Sequence, residues 1–238
     1  MPTKNTLTDF IQPTLTGPSA RLVASLSLAI HENKLLPGTK LGEDELGDIF
    51  KVSRTVVRTA LQELSHAELV ELKRNRGAFV SQPTVREARE VFEARALLEP
   101  RTARSAAERM TEEAAARLEA HIAAEHAAIE AGEAGKALRL SGHFHIEISR
   151  IADQTTIAGF IERLVARSSL IIALYWKRQS ALCEKHAHHA LVDALRRGDG
   201  ADAEELMKSH LLDILTALDL REVVQPPIDL KDILRPAP

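Results

Sequence analysis

The sequence predicts a mainly α-helical chain in two parts: an N-terminal winged helix-turn-helix of three helices plus a β-hairpin wing, then an all-α helical bundle. Three observations predict it. Ala, Leu, Glu and Arg are abundant and aromatic residues make up only 3% of the 238 residues, which favours helix over strand. Apolar positions recur at helical spacing over most of the chain. One stretch reads as a hairpin: "VELKRNRGAFV", residues 70–80, has two short β-prone arms around a turn-prone centre. The length exceeds the ~150 residues expected of one domain, and a 45% apolar fraction supplies a packed core.

Residues 1–18 carry three prolines and little periodicity, so they read as a mobile arm. Structure begins near Ser19, where Leu22, Leu26, Ala29 and Ile30 share one helix face and "LLPG" at 35–38 stops the helix. "EDELGDIF" at 43–50 is a short helix with an acidic start, and "KV" is a tight connection. Ser53 is placed to N-cap the next helix, "RTVVRTALQEL". The hairpin completes a unit spanning 19–80, "SQPT" at 81–84 is a linker, and residues 85–222 show only helical periodicity, broken near 131–135 and 196–200. The proline-rich residues 223–238 read as a loose tail.

Composition narrows the function classes. The formal charge of −3 argues against a partner held by bulk electrostatics alone. A single cysteine and the lack of a signal pattern point to the cytoplasm. The longest apolar run, "LIIALYW" at 170–176, is far short of the ~20 residues that cross a bilayer, so no membrane partner is expected.

The helix after Ser53 has two stripes. Val57, Ala60, Leu61 and Leu64 form an apolar face, and Arg54, Arg58 and Gln62 recur every four residues on the other side. The second helix of a helix-turn-helix enters the major groove, where Arg forks two hydrogen bonds to guanine and Ser or Thr holds phosphate or a base edge. The expected DNA-contacting set is Ser53, Arg54, Thr55 and Arg58 with Lys73, Arg74, Arg76 and Gly77 of the wing. Alone, spaced arginines are more often a solvated helix face; the short first helix and the basic hairpin weigh against that.

Residues 35–80 resemble the winged helix of GntR-family bacterial transcription regulators, patterned as PG, a spaced L, VSRTPVREAL, GL and NRGAFV. Here the corresponding segments read "LLPG", "VSRTVVRTAL" and "NRGAFV". The departures are Val56 for proline, Thr59 for glutamate and Gly47 for alanine, none at Arg54 or Arg58; Asp44 stands where some members have a further base-reading arginine. The resemblance implies a DNA-binding regulator, expected to be a repressor working as a homodimer on an inverted repeat.

In the helical half, His188 shares a face with Leu191, Val192 and Leu195, and His210 with Leu206, Met207 and Ile214. Each lies eleven residues from Asp199 in "RRGDG", so in an antiparallel hairpin the two imidazoles stand at equal height. His145 shares a face with Ser141 and Ile148. Three converging imidazoles suit Zn²⁺ or a similar divalent metal, although an inward histidine is more often a hydrogen-bonded core residue. His31, His66, His121, His126 and His143 are read as structural, and His186 and His189 as solvent-facing.

Three further segments, "EARALLEPRTARSAAER", "SGHFHIEISRIAD" and "HHALVDALRRGDGADAEELMKSHL", resemble the FCD-type effector domain of the FadR-like GntR subfamily. By that resemblance His145, His188 and His210 are the metal ligands, while Ser141 replaces the usual carboxylate. Arg95 lies on an apolar face with Val91, Phe92 and Leu98, and a buried guanidinium needs an anion. Glu99, one turn on, is a structural partner; the functional reading is that Arg95 grips the carboxylate of a small organic acid effector, with Ser141 beside it. The competing readings are a regulator sensing the metal itself and a metal-dependent hydrolase with Glu147 or Glu184 as base; no H-E-x-x-H motif supports the hydrolase.

Overall fold

The computed structural model describes residues 16–176 and 187–221. Most of the expected arm, the 223–238 tail, Glu184 and His186 lie outside the described residues.

The chain is mainly α-helical. α1 (Pro18–His31) starts on a proline in its first turn, which needs no amide there, and buries Leu22, Val23, Leu26 and Ile30. β1 (Lys40–Leu41) leads into α2 (Glu43–Phe50), whose first turn carries Glu43, Asp44 and Glu45 against the helix dipole. Lys51 at φ 54° makes the sharp step to α3 (Arg54–His66), and the Ser53 hydroxyl accepts from the Val56 amide at the cap. β2 (Val70–Lys73) and β3 (Gly77–Val80) form the hairpin, in which Asn75 and Gly77 take positive φ of 58° and 94°.

The wing departs from a plain hairpin: β1 pairs antiparallel with β3, giving the order β1-β3-β2. Two residues are too few for alternation to reveal a strand in sequence.

The second half comprises α4 (Val85–Ala107), α5 (Glu112–Glu130), α6 (Ala134–Ile151), α7 (Thr155–Tyr175), α8 (Ala187–Arg196) and α9 (Gly200–Ala217). Two breaks that the sequence reading lacks occur at 108–111 and 152–154. Neither contains Gly or Pro: Thr111 caps α5 by accepting from the Ala114 amide, and Asp153 adopts φ 55°. α4 runs through the bundle against α9, α6, α7 and α8, and α5 covers α6 and α8. Leu118, Ile122, Phe144, Ile148, Leu191 and Leu195 fill one core cluster.

The winged unit sits on α6 and α7. Ala166 and Leu170 of α7 belong to the same buried cluster as Leu22, Leu26, Leu61 and Leu64. Arg139 pairs with Glu32 at 3.0 Å, Arg167 with Glu68 at 2.5 Å, and the Tyr175 hydroxyl donates to the Pro83 carbonyl at 2.8 Å. Gly135 is required here, because a Cβ on it would lie 1.9 Å from the Glu32 carbonyl oxygen. No described helix is long and apolar enough to cross a membrane.

Candidate functional site

The first site is the outer face of α3 and the wing. Ser53, Arg54, Thr55 and Arg58 are exposed, as are Arg74, Arg76 and Gly77. A groove of about 310 Å³ runs between α3 and the hairpin, lined by Glu43, Arg58, Gln62, Lys73, Asn75 and Gly77 among others. Folding thus brings Arg58 and the wing to one surface, with Arg54 a turn away. Gly77 holds the turn open at a φ that other residues rarely adopt. Lys73 is only half-exposed: it pairs with Glu71 at 3.0 Å and lies over the Phe79 ring.

Both arginines of α3 are held by the acidic start of α2. Arg54 Nε lies 2.5 Å from Asp44 Oδ1, and Arg58 Nε 2.8 Å from Glu43 Oε2. These exposed pairs add little stability. Their geometry matters more: each carboxylate engages the Nε edge, so the terminal Nη groups remain for a guanine edge or a phosphate.

The second site lies inside the bundle. His145, His188 and His210 each offer a ring nitrogen, all within 4.8 Å of one another. The α8–α9 hairpin brings His188 Nε2 to 3.2 Å from His210 Nε2, and the His145 ring stacks on His210 at 5.2 Å between centroids. Two carboxylates orient the rings from behind: Glu99 Oε2 lies 2.7 Å from His145 Nδ1, and Glu125 Oε2 3.1 Å from His188 Nδ1. Each carboxylate can accept a hydrogen bond from Nδ1–H, the tautomer that leaves Nε2 as a lone-pair donor. The Nδ1 of His210 is buried with no hydrogen-bond partner. Burial lowers the pKa of His145 against the pull of Glu99, and burial with the neighbouring His188 lowers that of His210. Neutral imidazole is the form a metal takes.

The donor set fits a divalent ion. At Zn–N distances near 2.05 Å, two ligands of a tetrahedral zinc stand about 3.3 Å apart, close to the 3.2 Å between His188 and His210. Ser141 does not restore the missing carboxylate: it lines an adjacent cavity of about 30 Å³ with Arg95, Gly142, His145, Ser168 and Ser169.

Arg95 is buried, as expected from its apolar face, and already has an anion. Its Nε and Nη2 meet Glu99 at 2.5 and 3.3 Å, and Nη1 meets the Ser168 hydroxyl at 3.2 Å. Burial raises the Glu99 pKa, but Arg95 and then His145 overcome it and hold the carboxyl down at about 2. Three of the five guanidinium N–H groups are thereby used, leaving two.

Two features of the site had no sequence signal. Glu125 lies 63 residues from His188, and nothing local links them. His31, read as structural, is completely buried at the contact between α1 and α7, with Nδ1 2.9 Å from the Ser169 hydroxyl. The hydrolase bases find no place: Glu147 faces Arg117 and Arg150 instead of the histidines, and Glu184 is outside the described residues.

Residues 18–80 match the family model described as bacterial regulatory proteins, gntR family, and residues 90–213 match the FCD domain. The HTH-type transcriptional repressor RspR of Escherichia coli K12 is 30% identical over 183 residues, covering 76% of this chain and 79% of RspR. The galactonate operon transcriptional repressor of the same organism is 30% identical over 213 residues, covering 78% and 90%. HTH-type transcriptional regulator LutR of Bacillus subtilis is 29% identical, covering 78% and 94%. In fold, a putative GntR regulator from Rhodococcus sp. RHA1 superimposes with a TM-score of 0.74 at 22% identity, covering 84% of this chain and 97% of that one. Escherichia coli McbR/YncC gives 0.75 at 19%, covering 85% and 98%.

Proposed function

The chain belongs to the gntR family of bacterial regulatory proteins and carries an FCD domain, so it is a transcription regulator and not an enzyme; we propose that it is a cytoplasmic homodimeric repressor of metabolic genes, released from an inverted-repeat operator by a small carboxylic acid bound in the helical domain. The observation that carries the DNA half is the groove that joins α3 to the wing, with Arg58 on one wall and Lys73 and Gly77 on the other.

In this reading Arg54 and Arg58 present their Nη groups to guanine edges while Asp44 and Glu43 hold them from behind. Ser53, Thr55 and the free amides at the start of α3 anchor a phosphate. Arg74 and Arg76 at the wing tip, with Lys73 behind them, contact the backbone or minor groove. One winged unit spans too little DNA for regulatory specificity, which is why two copies on a two-fold operator are part of the proposal.

His145, His188 and His210 would hold the metal, Zn²⁺ by donor type, and the ion would supply an open position for an oxygen ligand. Arg95, with two N–H groups in reserve, grips the acid's carboxylate beside Ser141. The relative named for the galactonate operon makes hydroxy acids the first class to test. A second reading, a regulator sensing the metal itself, is favoured by the roughly 30 Å³ cavity, which has room for about one water.

The test combines duplexes selected from a random pool with melting curves in the presence of lactate, citrate, galactonate and ZnCl₂, since only ligands that prefer the folded state raise the midpoint. Stabilisation by an acid, lost in Arg95→Ala, supports the effector reading; stabilisation by Zn²⁺ alone, with DNA release by Zn²⁺, supports the metal sensor. A pool that yields no selected sequence defeats the DNA reading.

A further inference from the structure

Five consecutive residues of α7 touch both halves of the molecule. Ala166 and Leu170 are buried in the winged unit's own core. Arg167 bridges Glu68 after α3 and Glu87 at the start of α4. Ser168 and Ser169 both line the cavity beside Arg95 and His145, yet their hydroxyls serve opposite sides. Ser168 Oγ meets Arg95 Nη1 at 3.2 Å; Ser169 Oγ meets His31 Nδ1 at 2.9 Å.

The proton count fixes the direction of these bonds. A serine hydroxyl has one proton. That of Ser168 goes to the Leu164 carbonyl at 2.8 Å and that of Ser169 to the Ala166 carbonyl at 2.7 Å. With its proton on the Leu164 carbonyl Ser168 accepts from Arg95, and with its proton on the Ala166 carbonyl Ser169 accepts in turn, the arrangement that matches the His31 tautomer protonated on Nδ1. His31 ends α1, and α1 packs against the DNA-reading helix α3 through Leu22, Leu26, Leu61 and Leu64. A continuous path of packed groups thus runs from Arg95 through one turn of α7 to α1 and α3.

The cavity gives that path something to transmit. About 30 Å³ has no room for an organic acid, so an acid that reaches Arg95 must displace its lining, and close-packed interiors answer by switching between arrangements. A helix moves as a unit, so a shift that lifts Ser168 from Arg95 carries Ser169 with it. We infer that Ser169 and His31 are positioning residues that couple occupancy of the Arg95 cavity to the seating of the winged unit, an inference that rests on the effector reading above. Coupling of this kind requires the acid to prefer one seating over the other.

The experiment uses the full chain and a selected duplex, with anisotropy titrations at zero and saturating acid and calorimetry for acid binding, using lactate, citrate and galactonate with ZnCl₂. His31→Leu removes the donor; His31→Asn keeps an N–H where Nδ1 stands. In the wild type the acid weakens DNA binding at least tenfold. His31→Leu keeps the acid Kd within twofold but shows less than a twofold change in DNA affinity, and His31→Asn recovers most of the response. Should His31→Leu fail to fold, Ser169→Ala removes the acceptor instead, and the same loss of response is expected at its own saturating acid. A wild-type response in the folded variants overturns the coupling. If none of the acids binds the wild type, the effector reading falls and the coupling falls with it; acid binding with an intact response in the variants defeats the coupling alone.

Discussion

Gly135→Ala tests how tightly the winged unit is seated. Gly135 lies in the first turn of α6, where a Cβ would stand 1.9 Å from the Glu32 carbonyl oxygen and 2.6 Å from its carbon. Both are backbone atoms at the end of α1, so no side chain can swing away. To reach even a tight 3.0 Å contact, α1 must retreat by 3.0 − 1.9, or 1.1 Å, which stretches the Arg139–Glu32 pair from 3.0 Å. Because the clash is with backbone, the cost lies at the upper end of the overpacking range, ~2–3 kcal/mol, and the better helix propensity of Ala offsets up to ~1 kcal/mol, leaving a net loss of ~1–3 kcal/mol. Gly159→Ala is the control: it also lies in a helix, but its Cβ would meet nothing within 4 Å. At ~2–4 °C per kcal/mol for a chain of this size, Gly135→Ala should melt several degrees below the wild type and Gly159→Ala a few degrees above it. Calorimetric melting of the three proteins decides the matter. Gly135→Ala melting at or above the wild type would refute the close seating of α1 on α6.

Other outcomes follow from the same geometry. Arg54→Ala or Arg58→Ala should each weaken binding to a selected duplex by ~1–3 kcal/mol and relax base preference; unchanged selectivity in both variants, read by competition with scrambled duplex, would remove them from the reading surface. Asp44→Asn frees Arg54 from its rear contact, so binding to scrambled duplex should strengthen more than binding to the selected one, narrowing the gap between them. Ser141→Asp restores a hard, charged donor beside the three histidines and should raise metal content after incubation with Mn²⁺ or Zn²⁺; equal content by elemental analysis would place residue 141 outside the metal's reach. Burial, then His143 and Arg139, push the pKa of His31 down to about 3 from an ordinary 6.5. The unfolded chain therefore takes up the proton first: this stability is fully present above pH 6.5 and is lost progressively as pH falls toward 3, by up to ~1.4 kcal/mol per pH unit. Urea unfolding of His31→Asn between pH 7 and 5 should show a shallower pH slope than the wild type.

Features that depend on near neighbours are legible in the order of residues. Helix periodicity, the Ser53 cap and the turn around Gly77 are local, and they delivered α1, α2, α3 and the hairpin in order. The pairing of His188 with His210 was legible because both are tied to one short turn, which converts equal counts of residues into equal height. The third strand was not legible, since Lys40 and Leu41 become a strand only when β3 offers its edge. Nor were the breaks before α5 and α7, where no glycine or proline marks the chain. Packing settles which groups separated by tens of residues share a buried site: Glu125 behind His188, Glu99 between Arg95 and His145, and Ser168 and Ser169 facing opposite ways from one turn of α7. A buried polar group must find its partner wherever packing puts one, and sequence spacing carries no information about a partner on another helix.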